Sequence, residues 1–375
     1  MEREKIFGNI DWWLVLAIVP ILAASLITMN SLTGDSSFAS HQLVSILVSV
    51  VVFLIISQID MRFLRQTWLS VTIFIVITVL LGLLFSLGRI SHGAQSWFSF
   101  GSYSFQPSDF AKLALVIILA KYFSRRHIEI ANIRHILVSG FYAFVFFLLV
   151  LLHPDLGSAA IIFLIWLGMV MVSGISKKHL IGMMMVGVVV SSLLWSFGLK
   201  EYQKNRIRNF IDPLADIHGA GYNAYQSMVA IGSGQIFGKG VGYGTQSRLK
   251  FLPEYQTDFV FAAFAEEWGF VGVVILFGLY GFIVFRIVKM SLHGATNFEI
   301  LFGAGVAVYF VVHFFINVGM NIHILPVTGT PLPLMSYGGT HLLTEFTLLG
   351  ILMAMRKYER PAHKSEVKNE FIGPQ

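Results

Sequence analysis

Two neighbouring stretches of the chain decide its fold: residues 41–59 read HQLVSILVSVVVFLIISQI, and residues 68–88 read WLSVTIFIVITVLLGLLFSLG. Neither contains Asp, Glu, Lys or Arg, and each is close to the length of about 20 apolar residues that a helix needs to cross a bilayer. The residues between them include Asp60, Arg62 and Arg65. This pattern predicts two antiparallel transmembrane helices joined by a short polar turn.

The same pattern recurs along the 375-residue chain, of which 56% is apolar and only 12% is charged. A soluble domain carries about 25% charged residues, and a soluble fold would leave large apolar patches exposed here. We therefore predict an all-α polytopic membrane protein that forms a single integral membrane domain over residues 1–375. The ten predicted spans are 12–32, 41–59, 68–88, 107–123, 137–153, 158–174, 179–198, 259–286, 298–322 and 340–356.

Lysine and arginine residues orient the predicted bundle. Most of the 26 lie in segments that are cytoplasmic when both termini are inside, whereas the short outer loops hold only Arg89. We therefore expect cytoplasmic termini, a short cytoplasmic tail over 357–375 and one large extracytoplasmic loop, 199–258, between spans 7 and 8. The net charge of +6 is explained by this orientation. Nucleic acid is accordingly not an expected partner.

A carboxylate and an ammonium lie inside the fourth predicted span. Asp109 and Lys112 are three residues apart, so they share one helix face and can pair. Ser108 is expected to cap the helix, with Pro107 at its start. Charges at membrane depth are costly and usually functional. Two interpretations stay open at this point: a structural ion pair, or a Lys112 that offers positive charge to an anionic ligand in a cavity.

Other acidic residues lie at the predicted outer ends of the spans. Asp155 lies in a turn, HPDLG, whose Pro, Asp and Gly are ordinary turn residues. Glu266 and Glu267 are neighbours in the eighth span, where helix geometry directs them to different faces, so only one is expected to point inward. Glu345 lies early in the tenth span.

Asp258 ends the long outer loop, directly before the eighth apolar span. Residue chemistry alone favours a helix N-cap at this position. The alternative is a carboxylate partly shielded from water, whose pKa would suit a general base. The two roles are compatible, and both remain open at this point.

Three further segments complete the outer side. Residues 222–231 form an amphipathic stretch that is expected to lie at the membrane interface. The glycine-rich stretch 232–244 fails the GxxxxGK[ST] pattern, so no nucleotide site is predicted. Residues 321–339 contain three prolines and no Lys or Arg, which predicts a rigid re-entrant segment that is buried in protein or lines a cavity.

Five motifs in this order resemble the SEDS (shape, elongation, division and sporulation) family of bacterial polytopic proteins, along nearly the whole chain. They are GAQSW (93–97), QPSD (106–109) with Lys112, PDLG (154–157), LPE (252–254) with TDF (257–259), and PLP (331–333) with SYGG (336–339). The short stretch GTQS (244–247) is closer to the elongation (RodA) branch than to the division (FtsW) branch.

The resemblance implies a peptidoglycan glycosyltransferase of the bacterial inner membrane, which polymerises lipid II beside a class B penicillin-binding protein within the elongation machinery. It implies a catalytic role for Asp258, as the general base on the GlcNAc 4-hydroxyl in an inverting transfer. Substrate-binding roles are implied for six other positions, Trp97, Asp109, Lys112, Asp155, Arg206 and Ser336.

The leaving group of that reaction is a lipid pyrophosphate, which needs cations, and Lys112 and Arg206 are candidates. No cofactor is implied with certainty, although a divalent cation, Mg or Mn, would suit the chemistry. Ser96 stands where many relatives have Arg, which puts a phosphate role for that position in doubt, and Thr340 replaces a common Ser. Two rival functions remain, a lipid II flippase or transporter and a non-catalytic scaffold for a penicillin-binding protein.

Overall fold

A computed structural model of the chain describes residues 8–33, 36–91, 94–100, 103–125, 133–198, 201–212, 220–249 and 251–357. Within these residues, ten long helices occupy the ten predicted spans. They are α1 (Trp12–Thr33), α2 (Ser36–Gln58), α3 (Thr67–Leu87), α4 (Pro107–Ser124), α5 (Ile133–Leu152), α6 (Leu156–Val172), α7 (Lys177–Leu193), α11 (Val260–Leu292), α12 (Asn297–Asn321) and α13 (Gly339–Arg356).

Seven of these helices are long and apolar enough to cross a membrane. Of the other three, α6 has 17 residues, and α4 and α13 carry buried ionisable side chains. The all-α polytopic class is therefore confirmed. The side on which each terminus lies stays a prediction, as does the cytoplasmic tail 357–375, which falls almost wholly outside the described residues.

Helix α4 is the centre of the bundle, and its residues from Pro107 to Lys121 are buried except for Phe110. It packs against α3, α6 and α12, while α13 packs mainly against α2 and α11 against α1 and α12. Helix α7 lies at the periphery, where the described side chains of its apolar window are all at least partly exposed. The few charges of α4 are thus enclosed by protein and not by lipid.

A small antiparallel sheet joins α3 to α4, where the sequence predicts only a loop. Its strands are β1 (Arg89–Ser91), β2 (Ala94–Phe100) and β3 (Tyr103–Phe105). Strand β2 pairs with both neighbours, with Arg89 opposite Trp97 and Phe98 opposite Phe105. Strands of three to seven residues are too short for the alternation of side chains to be read reliably from sequence.

The long segment between α7 and α11 holds three helices, α8 (Glu201–Ile211), α9 (Ala220–Ser233) and α10 (Thr245–Arg248). Helix α9 covers most of the stretch that was expected at the interface. Its buried residues Ala224, Ser227 and Ala230 recur every three positions and form the face that packs on α11. The bundle therefore covers the buried face of this helix, and its place at the membrane interface stays a prediction.

Helix α11 is interrupted at Gly269, whose φ of 64° and ψ of −167° lie outside the helical region. The turn 234–240 enters this break, and the Gln235 carbonyl accepts a hydrogen bond from Phe270 N–H at 2.9 Å. A Cβ atom on Gly269 would lie 2.2 Å from the Gly238 nitrogen. Only glycine fits here, because both the backbone angles and the close approach exclude a side chain.

One end of the bundle is closed by ion pairs. Asp11 accepts hydrogen bonds from Leu14 N–H at 3.0 Å and from the Arg286 guanidinium, and Arg356 lies 3.5 Å away. Arg65 lies 2.5 Å from Glu299 at the same end, and Glu299 lines one cavity together with Arg356. The charge bias of the sequence assigns these three arginines to one side of the membrane, and the structure places them at one end.

Candidate functional site

Asp258 lies in the loop that leads into α11, and its side chain is partly exposed. The N-cap position of α11 is Phe259, and no side chain caps it through a hydrogen bond. Instead, the amide oxygen of Asn321 accepts a hydrogen bond from Ala262 N–H, at 3.3 Å. The N-cap interpretation of Asp258 is therefore wrong by one position, because α11 begins at Val260 and its N-cap is Phe259.

Two asparagines of α12 fix the backbone of Asp258. Its carbonyl oxygen accepts hydrogen bonds from Asn317 Nδ2 at 2.9 Å and from Asn321 Nδ2 at 3.0 Å. Asn317 Nδ2 also donates to the Thr330 carbonyl at 2.7 Å. Both asparagines are fully buried, so these bonds form away from water. They hold the Asp258 loop against the segment 322–338.

Ser336 holds the peptide group on the other side of Asp258. Its hydroxyl donates to the Thr257 carbonyl at 2.5 Å and accepts from Leu332 N–H at 2.8 Å. Ser336 is predicted to bind substrate, but the structure places its hydroxyl in contacts that position the Asp258 loop. Close by, burial raises the pKa of Tyr255, despite a hydrogen bond with the Gln256 side chain that lowers it. The phenol therefore stays protonated at neutral pH.

The segment 322–338 contains no regular helix or strand, and its residues 332–336 are buried, as predicted for a re-entrant segment. It also contacts the turn that carries Asp155. A Cβ atom on Gly157 would lie 2.7 Å from the Thr328 carbonyl oxygen, and one on Gly329 would lie 3.3 Å from Asp258 Oδ2. Residues 328–330 therefore separate the two aspartates by a single layer of backbone.

Asp155 caps α6 by accepting a hydrogen bond from Ser158 N–H at 2.9 Å. Its other oxygen accepts from Gln106 Nε2 at 3.2 Å. Gln106 is the N-cap residue of α4, so the predicted cap Ser108 is wrong by two positions, because the helix begins at Pro107. Gln106 thus joins the turn of Asp155 to the helix that carries the Asp109 and Lys112 pair.

Asp109 and Lys112 form an ion pair of 2.9 Å, with side chains that are 2% and 1% exposed. The sequence predicts this pairing. The structure places the ammonium in the bundle interior, against its carboxylate partner. A buried pair of this kind is costly to break, because removing one charge strands the other away from water.

Three ionisable residues that the sequence analysis did not assign to the site surround this pair. His341 Nδ1 lies 3.7 Å from Asp109 Oδ1, and His341 Nε2 lies 2.9 Å from Glu345 Oε1. The ring of His313 lies 5.2 Å from that of His341. A sequence signal existed for the residues of α12, because His313, Asn317 and Asn321 recur every four positions in an apolar span and so share one face.

Two predicted residues lie apart from this centre. Trp97 is half-buried on strand β2, in the sheet that packs against α3 and α4. Arg206 lies in α8, but its side chain is outside the described residues. Helix α8 is close to the segment 322–338, since the rings of Phe210 and His323 lie 5.2 Å apart.

Glu266 and Glu267 are both buried, so the expectation that only one points inward is wrong. The turn 234–247 covers both helix faces. Glu266 pairs with Lys239 at 2.8 Å, and Glu267 accepts hydrogen bonds from Gly242 N–H and from the Ser31 hydroxyl of α1, both at 2.7 Å. This glycine-rich turn thus packs on α11, where its backbone N–H groups donate hydrogen bonds to the Glu266 and Glu267 carboxylates.

The chain is similar to known proteins along nearly its whole length. Residues 4–361 match the FtsW/RodA/SpoVE family model, described as "Cell cycle protein". The chain is 35% identical to the peptidoglycan glycosyltransferase MrdB of Escherichia coli K12, over 95% of this chain and 96% of that protein. It is 34% identical to the probable peptidoglycan glycosyltransferase FtsW of Haemophilus influenzae, over 91% and 86%.

Two solved structures share the fold. A chain of the structure "Structural coordination of polymerization and crosslinking by a peptidoglycan synthase complex" aligns with a TM-score of 0.80 at 30% identity, over 94% of this chain and 98% of that chain. The crystal structure of the rod shape determining protein RodA of Thermus thermophilus aligns with a TM-score of 0.70 at 28% identity, over 93% and 97%.

Proposed function

The chain belongs to the FtsW/RodA/SpoVE family, and from that premise we propose that it is a peptidoglycan glycosyltransferase that polymerises lipid II during cell elongation. It is a multi-pass protein of the bacterial inner membrane. The substrate suits this location, because its polyprenyl tail stays in the bilayer while its sugars lie at the surface.

One observation carries the mechanism: both peptide groups that flank the Asp258 side chain are held by buried donors. Ser336 binds the preceding carbonyl, and Asn317 and Asn321 bind the following one. The backbone is fixed while the carboxylate remains partly exposed, which is the arrangement required of a positioned general base. Asp258 takes the proton of the GlcNAc 4-hydroxyl as that oxygen attacks the anomeric carbon of the lipid-linked MurNAc. One base on the attacking side gives inversion.

The departing lipid pyrophosphate needs positive charge and no proton donor. We assign this role to α8, which carries Lys204, Arg206 and Arg208 and lies beside the segment 322–338. The roles of the other predicted residues follow from their contacts. Asp109 and Lys112 fix the start of α4, whose Gln106 orients Asp155. Trp97 lies on the sheet at the beginning of the same helix, where it contributes to the wall that receives the sugars.

The described residues contain no group of three or more His, Asp or Glu side chains arranged to hold a metal ion. A cluster of protein ligands for Mg or Mn is therefore not formed by this part of the chain. A divalent cation would enter on the oxygens of the substrate pyrophosphate, as part of the substrate. The mechanism above uses no step through it.

We further propose that a class B penicillin-binding protein supplies the crosslinking. The described residues form one membrane bundle with short outer helices, so they offer no second domain for that reaction. The similar chain belongs to a complex in which polymerisation and crosslinking are coordinated, which supports a partner of this type.

The test is a polymerisation assay on the complex copurified with its penicillin-binding protein, using lipid II as the only substrate. Wild type should form glycan strands, whereas Asp258→Asn and Asp258→Ala should lose activity by about 10²–10⁴-fold, the usual contribution of general-base catalysis. Strand formation by both variants would refute the general-base assignment. A wild-type complex that makes no polymer but moves lipid II across liposomes would show a flippase.

A third outcome identifies a scaffold. If polymer appears only when the partner carries its own polymerising domain, and Asp258→Asn leaves the yield unchanged, this chain positions the partner and performs no transfer. The buried charges favour chemistry at the outer surface, since Asp109, Lys112, His341 and Glu345 all lie within the first seven residues of their helices.

A further inference from the structure

We infer that Glu345 is a positioning residue for Asp258, acting through a strained turn of the segment 322–338. This inference rests on the proposed function, in which Asp258 is the base. Glu345 lies on α13 and is fully buried. Its Oε2 atom accepts a hydrogen bond of 2.8 Å from the N–H group of Leu334.

The peptide group between Pro333 and Leu334 is clamped at both ends. Glu345 accepts from its N–H group, and the hydroxyl of Tyr280, on α11, donates to its carbonyl oxygen. Leu334 has a φ of 60°, which a branched side chain rarely adopts, and it is 1% exposed. A backbone conformation of this kind persists only when surrounding contacts over-determine it. The two side chains supply those contacts.

The clamped turn is connected to Asp258 by two further hydrogen bonds. Ser336, two residues after Leu334, donates to the Thr257 carbonyl at 2.5 Å, and Tyr337 N–H donates to the Gln256 carbonyl at 2.8 Å. A change in the turn therefore moves the peptide group that precedes Asp258. The asparagines of α12 hold the following peptide group.

Glu345 is itself fixed by its surroundings. His341, one turn earlier on α13, lies 2.9 Å from Glu345 Oε1 and faces Asp109 on its other side. Lys112 and the ring of His313 complete the cluster. A continuous series of polar groups thus runs from α4 through α13 to Leu334. Glu345 Oε2, which accepts from Leu334 N–H, is the last atom of this series. Losing this oxygen therefore affects the loop more directly than losing the side chain of His341, Asp109 or Lys112.

The test compares Glu345→Gln, which retains an acceptor oxygen for Leu334 N–H, with Glu345→Met, which does not. For Glu345→Met we expect kcat for polymerisation of lipid II to fall by about 10²-fold, the cost of a misplacement of about 1 Å, with KM within about twofold of wild type. For Glu345→Gln we expect kcat within a few-fold of wild type. Both are assayed as the copurified complex.

Glu299 provides the matched control. It is also buried, and its Oε2 atom accepts hydrogen bonds from Ala295 and Thr296 N–H groups at 2.6 and 3.2 Å, but it lies at the opposite end of α12 from Asn317. Glu299→Met and Glu299→Gln should lower thermal stability while leaving kcat per folded molecule unchanged. An equal fall of kcat in Glu299→Met and Glu345→Met would overturn the inference.

Two measurements keep the test decisive if Glu345→Met does not fold. Tyr280→Phe removes only the hydroxyl at the other end of the same peptide group and should lower kcat several-fold with KM unchanged. Hydrogen–deuterium exchange of residues 251–259 should be faster in Tyr280→Phe than in wild type, and this measurement requires no activity. Wild-type kcat and wild-type exchange in Tyr280→Phe would overturn the inference. An inactive wild type would instead contradict the proposed function.

Discussion

Two asparagine side chains at opposite ends of the bundle form the same pair of contacts with different consequences. Asn9 Nδ2 donates to the Ser57 carbonyl at 2.6 Å and to the Met353 carbonyl at 3.2 Å. These carbonyls lie in the last turns of α2 and α13, where helical carbonyls lack partners. Asn9 therefore closes two helix ends.

Asn317 also bridges two carbonyls, but they belong to Asp258 and Thr330, which lie in loops. Buried polar contacts therefore contribute to stability where they complete regular helices, and to function where they fix irregular backbone next to a partly exposed side chain. The ion pairs differ in a similar way, since Asp11 completes helix ends, whereas Asp109 is linked to the segment that holds the Asp258 loop through His341 and Glu345.

The largest effect is expected from Lys112→Met. This substitution tests whether the buried ion pair of Asp109 and Lys112 also contributes to the stability of the fold. The substitution leaves the carboxylate of Asp109 buried with its strongest partner removed. Breaking a buried pair from one side costs about 3–5 kcal/mol. We expect a steep fall in abundance and thermal stability, measured on detergent-solubilised protein by size-exclusion chromatography and thermal unfolding.

The double variant Asp109→Leu/Lys112→Met is the control, because it removes both charges and fills the space with apolar groups. Its stability should recover to near wild type, and polymerisation per folded molecule should recover at least in part. A Lys112→Met protein of normal abundance and full activity would show that the pair contributes neither stability nor function.

The second prediction sets Asn317→Leu against Asn9→Leu. Each substitution removes one amide that donates to two carbonyls. The carbonyls lose a hydrogen-bond donor, so each substitution should lower stability by about 1–3 kcal/mol. Only Asn317→Leu should also lower kcat, by roughly 10–100-fold, since it frees the Asp258 backbone. Equal polymerisation rates per folded molecule in the two variants would remove the distinction between the two ends.

The helices can be predicted from the sequence, but most contacts that hold the Asp258 loop cannot. Helices occupy all ten predicted spans, and seven of them are long and apolar enough to be recognised by hydropathy, because apolar length is a local property. The motifs also identify Asp258, Asp155 and the Asp109 and Lys112 pair. The fixing of Asp258 is not predictable in this way, because it depends on contacts between residues such as Ser336 and Thr257 that are far apart in the chain.

The wrong predictions for Asp258 and for Glu266 and Glu267 also arise from contacts between residues that are far apart in the chain. Asp258 has the local signature of an N-cap, but α11 begins one residue later than this signature predicts, and Asn321 of α12 accepts the hydrogen bond from Ala262 N–H in the first turn. Glu266 and Glu267 are both buried because the distant turn 234–247 covers both faces of α11. Local rules describe what a helix needs, but they do not show which distant residue supplies it.

The third prediction concerns the pH dependence of the end closed by Asp11. Burial by itself raises the pKa of Asp11, but hydrogen bonds from Arg286 and Leu14 and the charges of Arg286 and Arg356 outweigh it and lower the pKa below its ordinary value. A lowered pKa stabilises the fold above the ordinary value of about 4, and this stabilisation is lost as the pH falls further.

Asp11→Asn should therefore lower stability by about 2 kcal/mol at pH 7, the order expected for hydrogen bonds to a charged group. The difference in melting temperature between wild type and this variant should shrink as the pH is lowered from 5 towards 3. Polymerisation per folded molecule at pH 7 should not change. A difference in melting temperature that is independent of pH would show that Asp11 is not the titrating group.

The smallest effect is expected from Glu201→Gln on α8. Glu201 is 71% exposed and lies 3.6 Å from Lys204 and 3.3 Å from Arg208. Exposed pairs contribute about 0–1 kcal/mol, so stability should change by less than about 0.5 kcal/mol. If the basic residues of α8 bind the pyrophosphate of lipid II, removing the Glu201 carboxylate, which competes for them, should lower KM by about twofold at low salt. Added salt should abolish this difference in KM, because it screens exposed charges. An unchanged KM at low salt would place the pyrophosphate away from α8, and the end that carries Asp258 would then differ from the end closed by Asp11 in its fixed backbone alone.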